Sequence, residues 1–199
     1  SASRALMWQD GSWITMPAAV DPSREIIMLI HGNADSLLNH NWTQMAHALA
    51  LAKPQAIILG VDWSCYADSV PFAGSRPAAS SIYIPTVATE VALALDVVAD
   101  FSALRLHIIG HSHGAHVAGM LAEKLGERGL GMPKRISALD ASEEASHVWN
   151  NGNLWGRGWG ARYGSAQFID FYKSSELCGG ETPWGDDNFL VVSPGDAWG

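Results

Sequence analysis

The stretch that most constrains this chain is Leu106–Gly119, LHIIGHSHGAHVAG. Leu106 to Ile109 is a short apolar run that suits a buried strand. Ala115 to Leu125 has helical spacing, with Val117, Ala118, Leu121 and Leu125 on related faces. Between them lies Gly110-His111-Ser112-His113-Gly114, a G-x-S-x-G match. A strand, a five-residue turn with a central serine and a helix together carry the signature of a nucleophile elbow. Such a turn forces Ser112 into strained backbone, and only small flanking residues let strand and helix approach closely. The hydroxyl then stands clear of the sheet beyond a helix N-terminus, where the dipole favours negative charge. In a chain with 20 glycines the pattern alone also fits an ordinary glycine-rich turn; the strand before it and the helix after it specify the elbow. His111, His113 and His116 invite a zinc reading. Two of them flank a sharp turn and no further ligands accompany them, so neither a metal nor another cofactor is expected.

The flanking sequence alternates strand and helix. Ala5 to Met16 holds Trp8 and Trp13 around Asp10-Gly11, a hairpin or short edge strand, and Pro17 to Ser23 is a loop. Glu25 to Ile30 is a continuous apolar strand, as in a parallel sheet covered on both faces, and it runs into His31-Gly32-Asn33. Asn41 or Thr43 is expected to cap a helix carrying Trp42, Met45, Ala46 and Leu49. Ala56 to Val61 is a second buried strand, and Ser64 to Ile84 a long loop. Pro85 to Ser102 reads as a helix, with Val87, Val91, Leu95 and Val98 as its stripe. Arg135 to Leu139, Gln167 to Tyr172 and Asn188 to Val192 are further strands, and Asn150 to Gly164 a surface loop. The expected architecture is one α/β domain over residues 1–199, with a mostly parallel sheet flanked by helices.

Composition removes several function classes. A net charge of −8 without a basic run argues against a nucleic-acid partner, and no apolar stretch approaches a membrane span. Ser1-Ala2-Ser3-Arg4 lacks an initiator Met and a following hydrophobic region, so the chain reads as processed or cut from something longer. Cys65 and Cys178 are able to pair, but two distant cysteines decide nothing about compartment.

A serine hydroxyl needs a base within hydrogen-bond reach and a third group that orients the base. Asp140 suits the third role: it closes the strand after the elbow helix, and a right-handed crossover brings it to the sheet edge that holds Ser112. The plainer alternative for Asp140 is a helix cap or half of a loop salt bridge. The rival acid, Asp170, lies within its strand rather than past its end. An oxyanion hole needs two backbone N–H groups, and His113, after the nucleophile, and Asn33, in the loop after the earlier strand, are the candidates.

These segments, IIMLIHGN with Trp42 and Met45 downstream, IILGVDW, GHSHGAHVAG, RISALDAS and AQFIDFYKSS, resemble the pancreatic-lipase-like branch of the α/β-hydrolase family, in the family's order. The resemblance implies an α/β-hydrolase fold, Ser112 as nucleophile and Asp140 as acid. It implies hydrolysis of lipid or related carboxylic esters through an acyl-enzyme, and it favours a secreted, extracellular location. A non-catalytic module of this fold with an incomplete triad, or an acyltransferase using the same acyl-enzyme, are the alternatives. Three departures stand out. Ala141 replaces the usual Pro, Gly164 and Ser165 stand where an Asp-rich calcium loop belongs, and no histidine follows His147, whereas the family's catalytic His follows the last strand. The chain therefore reads as truncated at its C-terminal end, a further segment or partner chain supplying the imidazole, with His147 as the alternative. No lid between paired cysteines is visible, and interfacial activation is not inferred.

Overall fold

The computed structural model describes residues 2–67, 82–141, 165–174 and 185–191. The expected loop Asn150–Gly164, most of the loop after Ser64, His147, Cys178 and Val192 lie outside the described residues. An antiparallel hairpin opens the chain, β1 (Arg4–Gln9) and β2 (Ser12–Thr15), turning at Asp10-Gly11, both with positive φ. Then come β3 (Ile26–Ile30), α1 (His40–Ala52), β4 (Ile57–Asp62), the short α2 (Ser64–Ala67), α3 (Ile84–Asp96), β5 (Leu106–His111), α4 (His113–Glu127), β6 (Arg135–Leu139), β7 (Ile169–Lys173) and β8 (Asp187–Leu190). They form one sheet in the order β2-β1-β4-β3-β5-β6-β7-β8. Strand β1 pairs antiparallel with β2 and β4, and every other pairing is parallel.

The mostly parallel sheet is as the alternation implies, and its two faces explain the continuous apolar strands. Ile26, Met28 and Ile30 point into the larger core, under Val87 and Val91 of α3 and the apolar side of α4. Ile27 and Leu29 point into the smaller core, under Leu37, Trp42 and Ala46. A strand buried on both faces has no polar alternation to offer, and each fully buried Ile or Leu stabilises by about 1.5–3 kcal/mol.

Strands β7 and β8 are offset by a residue or two from the expected Gln167–Tyr172 and Asn188–Val192, and three helix ends differ for identifiable reasons. Helix α3 stops at Asp96 rather than Ser102, because the backbone beyond it bonds elsewhere: Ala99 N–H donates to Ala18 O, Val20 N–H to Ala99 O, and Asp100 takes φ 62°. Helix α1 is capped at Asn39, not at Asn41 or Thr43, and the Asn39 side chain donates to Asp35 instead of capping. That forgoes a cap of about 1 kcal/mol. Helix α4 begins at His113, two residues early, since Ser112 O already accepts from Ala115 N–H at 3.1 Å.

Strand order locates the site. From β3 the connections run one way to β4 and the other way through β5 to β8. In such sheets the crevice at the carboxyl ends of the two strands flanking the reversal is where ligands bind. Those strands are β3 and β5, with Ile30 level with Gly110. The loop after β3 carries His31-Gly32-Asn33, and the turn after β5 carries Ser112.

Candidate active site

Ser112 sits between β5 and α4 with φ 54° and ψ −121°, backbone that a non-glycine residue adopts at a cost of about 1–3 kcal/mol. The neighbours hold it there. Its N–H donates to Leu139 O at 2.9 Å, tying the turn to the end of β6. The two motif glycines are sterically required. A methyl group on Gly110 would lie 2.5 Å from Gly114 O and 2.7 Å from Ala115 N. One on Gly114 would strike Ile30 O and lie 2.5 Å from His31 O. The elbow is thus wedged against the end of β3, with the helix dipole of α4 behind Ser112.

The loop after β3 meets the elbow at Gly32, where a methyl group would lie 3.0 Å from Ser112 Cβ. His31 precedes Gly32 at the end of β3. The ring is fully buried and stacks on Trp63 at 5.3 Å, its Nε2 accepting from Trp63 N–H at 3.0 Å. The other ring nitrogen, Nδ1, lies 2.9 Å from Gly32 O. Trp63 Nε1–H returns a bond to His31 O at 2.8 Å. No local pattern announces this lock, because Trp63 follows the next strand. Beyond it, Ala34 takes φ 52°. Asp35 accepts from Ser36 N–H and Trp42 Nε1–H, each at 2.7 Å, and from Asn39 Nδ2. Burial works to raise the Asp35 carboxyl, but the Trp42, Ser36 and Asn39 donors hold it below the ordinary carboxylate range.

Asp140 follows β6 with φ 43°, and its N–H donates to Tyr172 O at 2.8 Å. Its carboxylate is braced from the next strand end, one oxygen accepting Ser174 N–H and the other Ser174 Oγ–H. Because Ser112 N–H bonds Leu139 O, the serine and Asp140 leave adjacent strand ends at one edge of the sheet. Asp170, the rival acid, is mid-strand and committed: Arg135 reaches it with Nε at 2.8 Å and Nη2 at 2.9 Å, and Ser137 Oγ–H lies at 2.9–3.0 Å. Burial raises its carboxyl, and Arg135, Tyr172 and Ser137 bring it below the ordinary range. The same polar patch takes His107, whose Nε2 lies 2.8 Å from Ser137 Oγ and whose imidazole is pushed down to about 4 by burial and by Arg135.

The other histidines separate by position. His40 and His47 lie on α1, His111 is exposed at the end of β5, and His113 and His116 are buried in α4. Among the described residues no three His, Cys, Asp or Glu side chains converge into a metal site, and no helix is long and apolar enough to cross a membrane.

A strained serine on a strand–helix elbow, a glycine loop pressed against it and an acid at the next strand end are now in view. Residues 14–151 match the family model described as Lipase. The chain belongs to the lipase family. Among relatives it is 28% identical over 128 residues to a phospholipase A1 of Vespula maculifrons, a match covering 59% of this chain and 41% of that protein. To a hepatic triacylglycerol lipase of Oryctolagus cuniculus it is 34% identical over 126 residues, covering 60% of this chain and 23% of that one. The chain thus spans less than half the length of these relatives. Solved esterases share the fold, that of the α/β-hydrolases. Esterase PE8 superimposes with a TM-score of 0.53 at 12% identity, over 97% of this chain and 89% of that one. Est1E of Butyrivibrio proteoclasticus does so with 0.50 at 14% identity, over 98% and 86%. The pancreatic-lipase-like assignment drawn from the motifs therefore stands.

Proposed function

We propose that this chain is the core of a serine hydrolase that cleaves lipid-type carboxylic esters through an acyl-enzyme. The observation that carries the proposal is Ser112 at φ 54° on the elbow, with Gly32 against it and Asn33 next in the loop. A binding module has no use for strained backbone at a serine, since strain persists only where surrounding structure maintains it. Ser112 Oγ attacks the ester carbonyl carbon as a base removes its proton. The carbonyl oxygen becomes an oxyanion that accepts from the Asn33 and His113 N–H groups. Collapse breaks the bond to the alcohol oxygen, which leaves with the proton held by the base. Water then enters by the same route and releases the acid. Asp140 orients the base. His31 and His107 are committed to Trp63 and Ser137, so the base is His147 or an imidazole from a further segment or partner chain. The relatives' names support a phospholipid or triacylglycerol ester as substrate, and an extracellular location remains part of the proposal, as the family resemblance implies.

A fluorophosphonate probe tests this. It should label Ser112, and Ser112→Ala should abolish labelling. Labelling that survives the substitution would remove Ser112 from the mechanism. A chain extended beyond Gly199 should label faster if the imidazole comes from there, and His147→Ala should then change little.

A further inference from the structure

We infer that Asp35 is the positioning residue of the oxyanion loop, its carboxylate fixing the direction of the Asn33 N–H by knotting the loop to helix α1. The inference rests on the reading of Ser112 and Asn33 proposed above.

The loop from His31 to Asn39 is held at two ends. At the first, the His31 ring and carbonyl are locked to Trp63, and Gly32 abuts Ser112. At the second, Leu37 is fully buried, and Leu38 and Asn39 N–H groups bond back to Ser36. Asn33 and Ala34 lie between and make no hydrogen bond among the described residues. Ala34 has φ 52°, which an alanine abandons unless neighbours enforce it. Asp35 is the first residue after this span that is anchored, and it is anchored three ways: to Ser36 N–H, to Trp42 Nε1–H from the first turn of α1, and to Asn39 Nδ2. The arrangement works against local helix stability, since Asn39 at the N-cap turns its side chain to Asp35 and leaves α1 without a side-chain cap. A neutral amide at position 35 has the same shape but cannot accept from all three donors. Asp35 touches neither the nucleophile nor, on this reading, the substrate. It acts through Asn33.

The experiment compares Asp35→Ala, Asp35→Asn and Asn39→Ala in the full chain. Asn39→Ala removes one of the three donors and leaves the bonds from Ser36 N–H and Trp42 Nε1–H. Two measurements are made: hydrogen exchange of the amides of residues 32–39, and the fluorophosphonate reaction at Ser112, resolved into reversible binding and the bond-forming step. In Asp35→Ala the Ser36, Leu38 and Asn39 amides, the hydrogen-bonded ones of this loop, should exchange about tenfold faster while those of β3 and β5 keep their protection. The bond-forming step should slow roughly 10- to 100-fold with half-saturation unchanged, short of the 10²- to 10³-fold lost when an oxyanion donor is removed outright. Asn39→Ala should cause a smaller loss of both kinds. Unchanged loop exchange overturns the inference, as does a loss confined to binding or an Asn39→Ala loss as large as that of Asp35→Ala. If the parent protein is not labelled at all, the nucleophile reading fails, and the exchange measurement alone decides the role of Asp35. If Asp35→Ala does not fold, the isosteric Asp35→Asn carries the comparison.

Discussion

Adding one methyl group at Gly114 should unseat the elbow, whereas adding it at Gly126 on the same helix should strengthen the protein. At Gly114 the new carbon would strike Ile30 O and stand 2.5 Å from His31 O, both backbone atoms of the strand end and loop that face Ser112. An ordinary carbon–oxygen contact needs about 3.3 Å, so β3 and α4 must part by close to 1 Å in a region with no flexible side chain to yield. Overpacking costs 1–3 kcal/mol where neighbours adjust, so about 3 kcal/mol is the expectation for Gly114→Ala. In a chain of this size that lowers Tm by about 6–12 °C. At Gly126 a methyl group meets nothing within 4 Å, and Gly→Ala in a helix should instead add about 0.5–1 kcal/mol. Urea unfolding followed by circular dichroism, with thermal scans of both variants and the parent, reads the difference. The wedge would be wrong if Gly114→Ala cost less than about 1 kcal/mol, or if the two substitutions moved stability the same way. A folded Gly114→Ala protein should also label slowly at Ser112, because the parting separates Gly32 from the serine.

The two aspartates should divide stability from activity. Asp140→Asn should lower kcat by roughly 10⁴ with little change in Tm, the effect of neutralising a triad acid. Asp170→Asn should leave turnover near normal per folded molecule and cost about 2 kcal/mol, less than a fully buried pair because Arg135 is 41% exposed; a crippling Asp170→Asn beside a mild Asp140→Asn would reverse the assignment. His107 should make stability pH-dependent. Its imidazole is held down to about 4 by burial, against an ordinary value near 6.5, so the unfolded chain binds the extra proton first. The contribution is fully present above about pH 6.5 and is lost as pH falls toward 4; His107→Gln should flatten the unfolding midpoint over that window, and an unchanged slope would mean that His107 does not titrate as its burial implies.

What was legible in the sequence was whatever one segment dictates alone. Gly110 and Gly114 around Ser112 specify a turn that few backbones satisfy, and the apolar runs at Ile26–Ile30 and Ile57–Val61 leave little choice but buried parallel strands. The position of Asp170 inside its strand is legible too, and there it is bound by Arg135 and Ser137. Illegible features depend on partners far along the chain. The His31 ring is fixed by Trp63, and the early end of α3 by backbone bonds to Ala18 and Val20. Neither partner leaves a mark on the local pattern. Asp35 was missed for a related reason: its role appears only once Trp42 is seen to turn its indole N–H back onto the loop.

Two of the contacts that hold Ser112 in its unusual backbone join residues roughly eighty positions apart, Gly32 to Ser112 and Ile30 to Gly114. Closing so long an intervening loop is a late and slow event in chain collapse. On the proposed mechanism, a nascent or misfolded chain carries the serine without the posture that makes it reactive, and probe labelling at Ser112 should double as a reporter of finished folding.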